Sequence, residues 1–133
     1  MDQTELGELL FSAQGRLSRT PFLVASAILL AISLVERALP SVLHWITGFV
    51  VYPALVFCGA CVLSKRLHDR GRSGWFAALI LFALVVVWPL PRGFLGFPFS
   101  LVIVWAVIEL GLMGGEQGAN RYGPNPLKPV SAA

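Results

Sequence analysis

Charge is what this sequence has least of. Only 13% of its 133 residues are Asp, Glu, Lys or Arg, against a globular norm of about 25%. At 56% hydrophobic and mean hydropathy +0.76, the chain has too little polar surface to coat a small water-soluble core. That argues against a soluble enzyme, a disordered tail and a nucleic-acid-binding module. The pI near 9.3 does not reinstate the last, because it rests on a net charge of only +3. Cysteine is nearly absent: two residues give no second pair to complete a closed zinc site. There is no P-loop, no Gly-x-Gly-x-x-Gly after a strand, no His-Glu-x-x-His and no serine nucleophile elbow. The polar segments are a short head, the connector 64–74 and a Gly/Pro-rich tail from Gly114, none able to bury a catalytic core alone. No catalytic residue, metal or cofactor is assigned, and nucleic acid is not an expected partner.

The apolar residues lie in four runs, 22–35, 42–63, 75–90 and 94–113, and Glu109 is the only charged residue among them. Such segregation is the signature of bilayer-spanning helices, since a hydrocarbon core of about 30 Å takes roughly 20 helical residues. The expected fold is an all-α membrane protein: a four-transmembrane-helix bundle, one membrane domain over 1–133, with spans near 20–40, 42–66, 74–90 and 94–114. Thr20-Pro21 suits a helix start, and Pro89 and Pro91 close the third run, which is somewhat short. Strands are excluded because the runs do not alternate, and only helices or closed barrels satisfy their backbone in lipid.

The acidic stretch from Met1 to Glu8 does not fit a secretory signal. Residues 5–17 read instead as an amphipathic interfacial helix, with Leu6, Leu9, Leu10, Ala13 and Leu17 on one face. Residues 115–133 form an irregular tail. Eight Lys and Arg fall on one side of the spans (Arg16, Arg19, Lys65, Arg66, Arg70, Arg72, Arg121, Lys128) and two, Arg37 and Arg92, on the other. The positive-inside rule then puts both termini and the middle connector in the cytoplasm.

Three polar patches share that side. The densest runs from Lys65 through Arg66, His68, Asp69, Arg70 and Arg72 to Trp75. Gly71 and Gly74 permit a tight reversal there, and Arg66 and Asp69 pair if the second span continues that far. Guanidinium groups match phosphate and carboxylate oxygens bidentately, so Arg66, Arg70 and Arg72 make a candidate anion site beside the plain reading as a positive-inside connector. The others centre on Arg16 and Arg19, and on Asn120, Arg121 and Tyr122, where successive turns fold the tail back. Together, Arg16, Arg19, Arg66, His68, Asp69, Arg72, Asn120, Arg121 and Tyr122 form a candidate layer for a lipid headgroup. Cys58 and Cys61 make a C-x-x-C in the second span, read as small helix-packing residues beside Ala54, Gly59 and Ala60. Glu109, about 7 Å inside the end of the fourth span, needs a cation: Arg66, Arg121 or Arg16.

These patches resemble domain-of-unknown-function family 805, small multi-pass bacterial inner-membrane proteins, over about Phe11 to Pro126. The first motif is matched by Phe11, Gly15, Arg16, Ser18, Arg19 and Phe22. The second is matched by Arg66, Leu67, His68, Asp69, Gly71, Arg72, Ser73, Gly74 and Trp75, and the third by Asn120, Arg121, Tyr122, Gly123, Pro124 and Pro126. Asn125, Pro21 and Leu23 depart from the family's usual residues, two of them where an acid is usual. The resemblance implies a multi-pass inner-membrane protein and supplies no activity. Three readings follow: a non-enzymatic structural or interaction protein whose layer engages a lipid headgroup, another membrane protein or a second copy; an oligomeric small-solute or ion transporter using Glu109; and a lipid-phosphate enzyme using His68 and Asp69.

Overall fold

The computed structural model describes residue 7 and residues 9–87 and 92–127. Among them there are four helices and no strand, only an isolated bridge between Asn120 and Gly123. We label the helices α1 (Arg19–Ala38), α2 (Ser41–Asp69), α3 (Phe76–Val87) and α4 (Gly93–Ala106), the last continuing as a π-helical segment, Val107–Leu112. Three helices, Arg19–Ala38, Ser41–Asp69 and Gly93–Leu112, are long and apolar enough to cross a membrane, and α3 is a shorter apolar helix. At 1.5 Å per residue, α2 is about 43 Å long, well beyond a ~30 Å hydrocarbon core.

Consecutive helices pack against each other, and the π segment returns to α1, closing a four-helix ring. Small side chains make the close approaches: Ala25, Ala77, Ala83, Ala106, Gly96 and Gly111 are all buried. Where apolar burial does not drive association, small residues let backbones come near enough for dispersion to hold them. The larger core members are Phe22, Val62, Leu67, Ile80 and Leu110. Outside, the polarity is inverted relative to a water-soluble protein. Phe94 is 91% exposed, Phe49 79% and Trp45 72%, while Arg66 is 0% exposed and Asp69 2%. A ring of outward apolar side chains with ionic groups inside one end is the pattern of a helical membrane protein.

Several local expectations are corrected. α1 begins at Arg19, with Ser18 rather than Thr20 in the capping position and no side-chain cap bond. The expected helix 5–17 is helical at residues 7 and 9–11, whereas residues 12–18 are not; residues 5, 6 and 8 lie outside the described set. Gly15, at φ 95°, turns the chain. Leu17 then donates its N–H to the Lys65 carbonyl (3.1 Å) at the end of α2. Leu9, Leu10 and Leu17 still pack on the core; the long-range backbone bond of Leu17 stands where their periodicity implied helical turns. The connector 64–74 is largely helix, because α2 runs to Asp69 and only the turn 70–75 remains. Gly71 has positive φ (76°) and Gly74 does not. Ala54 is exposed rather than packed, whereas a Cβ on Gly59 would stand 3.4 Å from Leu81 of α3. Pro89, Pro91 and Lys128 lie outside the described residues.

Candidate functional site: a buried arginine–carboxylate layer

The start of α1, the end of α2 and the end of α4 lie at the same end of the bundle, and the three polar patches meet there. Asp69 is the hub. Its carboxylate accepts from Arg16 Nε (3.0 Å) on one oxygen and from Arg66 Nη1 on the other. Its backbone carbonyl accepts the N–H of Glu116 (2.7 Å). The Arg66–Asp69 pair is the i,i+3 contact that the continued helix allows.

Arg16 fastens the tail. Nη1 donates to the carbonyls of Gly118 (2.7 Å) and Gly123 (3.2 Å), and Nη2 to those of Glu116 (2.7 Å) and Asp69 (3.4 Å). With Nε on the carboxylate, all five guanidinium N–H groups are occupied. Arg66 fastens α4. Nε donates to Leu110 O (2.7 Å), Nη2 to Met113 O (2.6 Å) and Nη1 to Leu17 O (3.3 Å) as well as to Asp69. Arg19 donates to Leu112 O (2.8 Å) and Arg70 to Gly114 O. The carbonyls of Leu110, Leu112 and Met113 lie at the end of the π segment, where a helix C-terminus leaves acceptors without intrahelical donors and the dipole favours cations. Three arginines therefore cap α4 from two other helices and the turn.

Glu109 is held by Arg70 (3.0 Å) and Arg72 (2.6 Å), not by Arg66, Arg121 or Arg16 as its depth suggested. The reason is the turn at Gly71, which carries both cations under the π segment. The expected anion site is thus distributed differently from the charge count. Arg16 and Arg66 spend their donors on the protein itself, and Arg70 and Arg72 share a carboxylate. Arg121 is exposed, its guanidinium 4.8 Å over the Tyr122 ring, with no ion pair among the described residues.

His68 and Asp69 face different partners. His68 Nδ1–H donates to Gly15 O (2.9 Å), and the ring stacks on Tyr122 at 3.8 Å with planes 5° apart. No hydrogen bond joins His68 to the Asp69 carboxylate, so the two are not brought together as an acid–base pair. Asn120 donates to His68 O and Glu116 Oε1, both at 2.9 Å, and its Oδ1 accepts the Tyr122 N–H (2.9 Å). Asn125 donates its amide to Gln117 O (2.8 Å), which a carboxylate at that position could not do. Cys58 and Cys61 are buried free thiols in α2.

Sequence reading missed several participants. Glu116 and Gly115 gave no signal, yet a Cβ on Gly115 would overlap the Asp69 carboxylate, and one on Gly71 would overlap Glu116. At the opposite end, Glu36 is buried in the last turn of α1. It accepts from Thr47 Oγ1 (2.6 Å) on its carboxylate and from His44 Nδ1 (2.9 Å) on its carbonyl. The spacing of Glu36, His44 and Thr47 around the turn at Pro40 was the available clue.

The sequence profile of a family described as "Protein of unknown function (DUF805)" matches residues 10–124. The uncharacterized protein YiiR of Escherichia coli (strain K12) is 36% identical over 126 residues, covering 86% of this chain and 85% of its own length. YiiR of Escherichia coli O157:H7 matches to the same extent. No solved structure matches.

Proposed function

The chain belongs to the DUF805 family of proteins of unknown function, and from that premise we propose that it is a non-enzymatic, multi-pass protein of the bacterial inner membrane. In this reading four helices cross the bilayer, and both termini and the arginine layer lie in the cytoplasm. The layer locks head, helices and tail into one rigid cytoplasmic face that engages a lipid headgroup or a partner membrane protein. The observation that carries it is Arg16–Asp69–Arg66: one carboxylate and two buried guanidinium groups tie together segments 100 residues and more apart in the chain, such as Arg16 and Glu116. An ionic knot that reaches mostly the protein's own carbonyls suits a structural role better than turnover.

Orientation is supported by charge placement. Arg16, Arg19, Arg66, Arg70, Arg72 and Arg121 cluster at the end shared by the α1 start, the α2 end and the α4 end, while Arg37 and Arg92 adjoin the other. α3 is described over 12 residues, Phe76–Val87, within the run 75–90 that is itself somewhat short for a span, so local thinning or packing would help it across. The test is a pair of reporters fused after Ala133, one fluorescent only in the cytoplasm and one a phosphatase active only in the periplasm. Fluorescence without phosphatase activity is expected. Phosphatase activity alone, or purified protein that stays monodisperse without detergent, overturns the reading.

A further inference from the structure

An open groove of about 790 Å³ lies between α2 and α3. It is polar at the arginine end, where Ser64, His68, Ser73 and Tyr122 line it, and apolar further in, where Val56 and Leu81 do. From His68 to Val56 is twelve residues of α2, about 18 Å, close to the depth of one leaflet of a ~30 Å hydrocarbon core. A slot of that length with one wet end has the shape of a lipid chain attached to a headgroup.

Ser64, His68, Ser73 and Gly74 line the wet end. Gly74 sits where a Cβ would stand 3.1 Å from His68 Nε2 and 3.2 Å from Ser64 Oγ, so any larger residue narrows the mouth. His68 commits Nδ1–H to Gly15 O, which leaves Nε2 of the neutral ring as an acceptor. Ser73 Oγ accepts the Trp75 N–H (3.3 Å) and keeps its own proton to donate. Arg121, on the Tyr122 ring that lines the groove, has no carboxylate partner among the described residues. The mouth therefore combines a hydroxyl donor and an imidazole acceptor, and Arg121, outside the lining itself, stands beside it on the face of the Tyr122 ring turned away from His68.

We propose that this groove is a binding site for an anionic glycerophospholipid of the phosphatidylglycerol class. One acyl chain fills the α2–α3 slot, the phosphate meets Arg121 and Ser73, and a headgroup hydroxyl donates to His68 Nε2. The site rests on the reading of the arginine layer as a membrane face and names that layer's lipid partner.

The full chain, purified in detergent, is titrated with dioleoyl phosphatidylglycerol and, separately, with dioleoyl phosphatidylcholine, and bound lipid is counted by native mass spectrometry. One phosphatidylglycerol per chain is expected, in preference to phosphatidylcholine. Arg121→Gln weakens phosphatidylglycerol by about fivefold, the worth of one cation at an anionic lipid surface, and weakens phosphatidylcholine less, because its choline already offsets the phosphate charge. Ala60→Leu, which fills the slot, abolishes retention of both, and Ala78→Leu serves if the first variant does not fold. Equal retention of the two lipids, or Arg121→Gln binding like the parent, overturns the proposal. So does a groove occupied by a second copy, seen as a dimer that Ala60→Leu or Ala78→Leu dissociates. The reporter fusions test the orientation independently, so cytoplasmic termini with unselective lipid retention sink the site and leave the broader reading standing.

Discussion

Removing the Asp69 carboxylate should be among the most damaging single changes available to this protein. Asp69 is 2% exposed and Arg66 0%, and the Arg16 side chain is 1% exposed. Each guanidinium gives the carboxylate a charge-assisted bond, of a kind worth about 1.5–3 kcal/mol. The two are not additive, because Arg16 and Arg66 keep their carbonyl acceptors. What dominates is the pair of positive charges left facing each other in a site with little water. Breaking a buried ion pair by deleting one partner costs about 3–5 kcal/mol. For Asp69→Asn we expect that range, because the amide keeps one acceptor but turns an N–H₂ toward the other guanidinium. At about 1.4 kcal/mol per decade, the folded-to-unfolded ratio falls by more than roughly a hundredfold. Unfolding by SDS titration in mixed micelles at neutral pH reads it directly. Adding Arg16→Met should cost less than the same change does in the parent, since one stranded charge leaves with it although its bonds to the tail carbonyls are lost in both backgrounds. A midpoint for Asp69→Asn that converts to less than about 1 kcal/mol would refute the reasoning, showing that the carbonyls alone hold both guanidinium groups.

Three further outcomes follow from other contacts in the layer, and a fourth from the opposite end of the bundle. Gly115→Ala places a methyl group on the Asp69 carboxylate; it should cost about 1–3 kcal/mol, the scale of overpacking, and expose the bond region 115–127 to limited proteolysis. Tyr122→Ala loses the His68 stack, about 0.5–1.5 kcal/mol, while Tyr122→Phe keeps it, so a Phe variant as weak as the Ala variant on thermal unfolding would contradict a stacking role. Glu109→Gln strands Arg70 and Arg72, but Arg72 is 43% exposed on its side chain and rehydrates; we expect a loss of only about 1–2 kcal/mol, and in proteoliposomes no difference in ion flux from the parent. A flux that the parent has and Glu109→Gln lacks would revive the transport reading. Thr47→Val removes the bond to Glu36 and should cost about 1 kcal/mol, with no effect on tail proteolysis because it acts at the far end.

The sequence by itself determined the solvent of this protein and the helices that meet it. Apolar runs almost free of charge, without alternation and of a length that spans a hydrocarbon core, call for helices, so the existence of α1, α2 and α4 could be read from the sequence, though their ends lie elsewhere than the runs suggested. It also marked Arg66–Asp69, since i,i+3 neighbours on a helix touch whenever the helix reaches them. The gathering of Arg16, His68, Asn120 and Tyr122 was legible only as a shared side of the membrane. Which arginine meets which oxygen was decided by the tertiary structure. Guanidinium donors bind whatever acceptors the packing leaves unpaired, and those are carbonyls of α4, of the π segment and of the tail, whose positions depend on how the helices stack rather than on local pattern. For the same reason residues 12–18 follow the end of α2 instead of their own helical period, Glu109 finds Arg70 and Arg72 around the turn at Gly71, and Gly115 matters for a space that exists only once Asp69 has been packed beneath it.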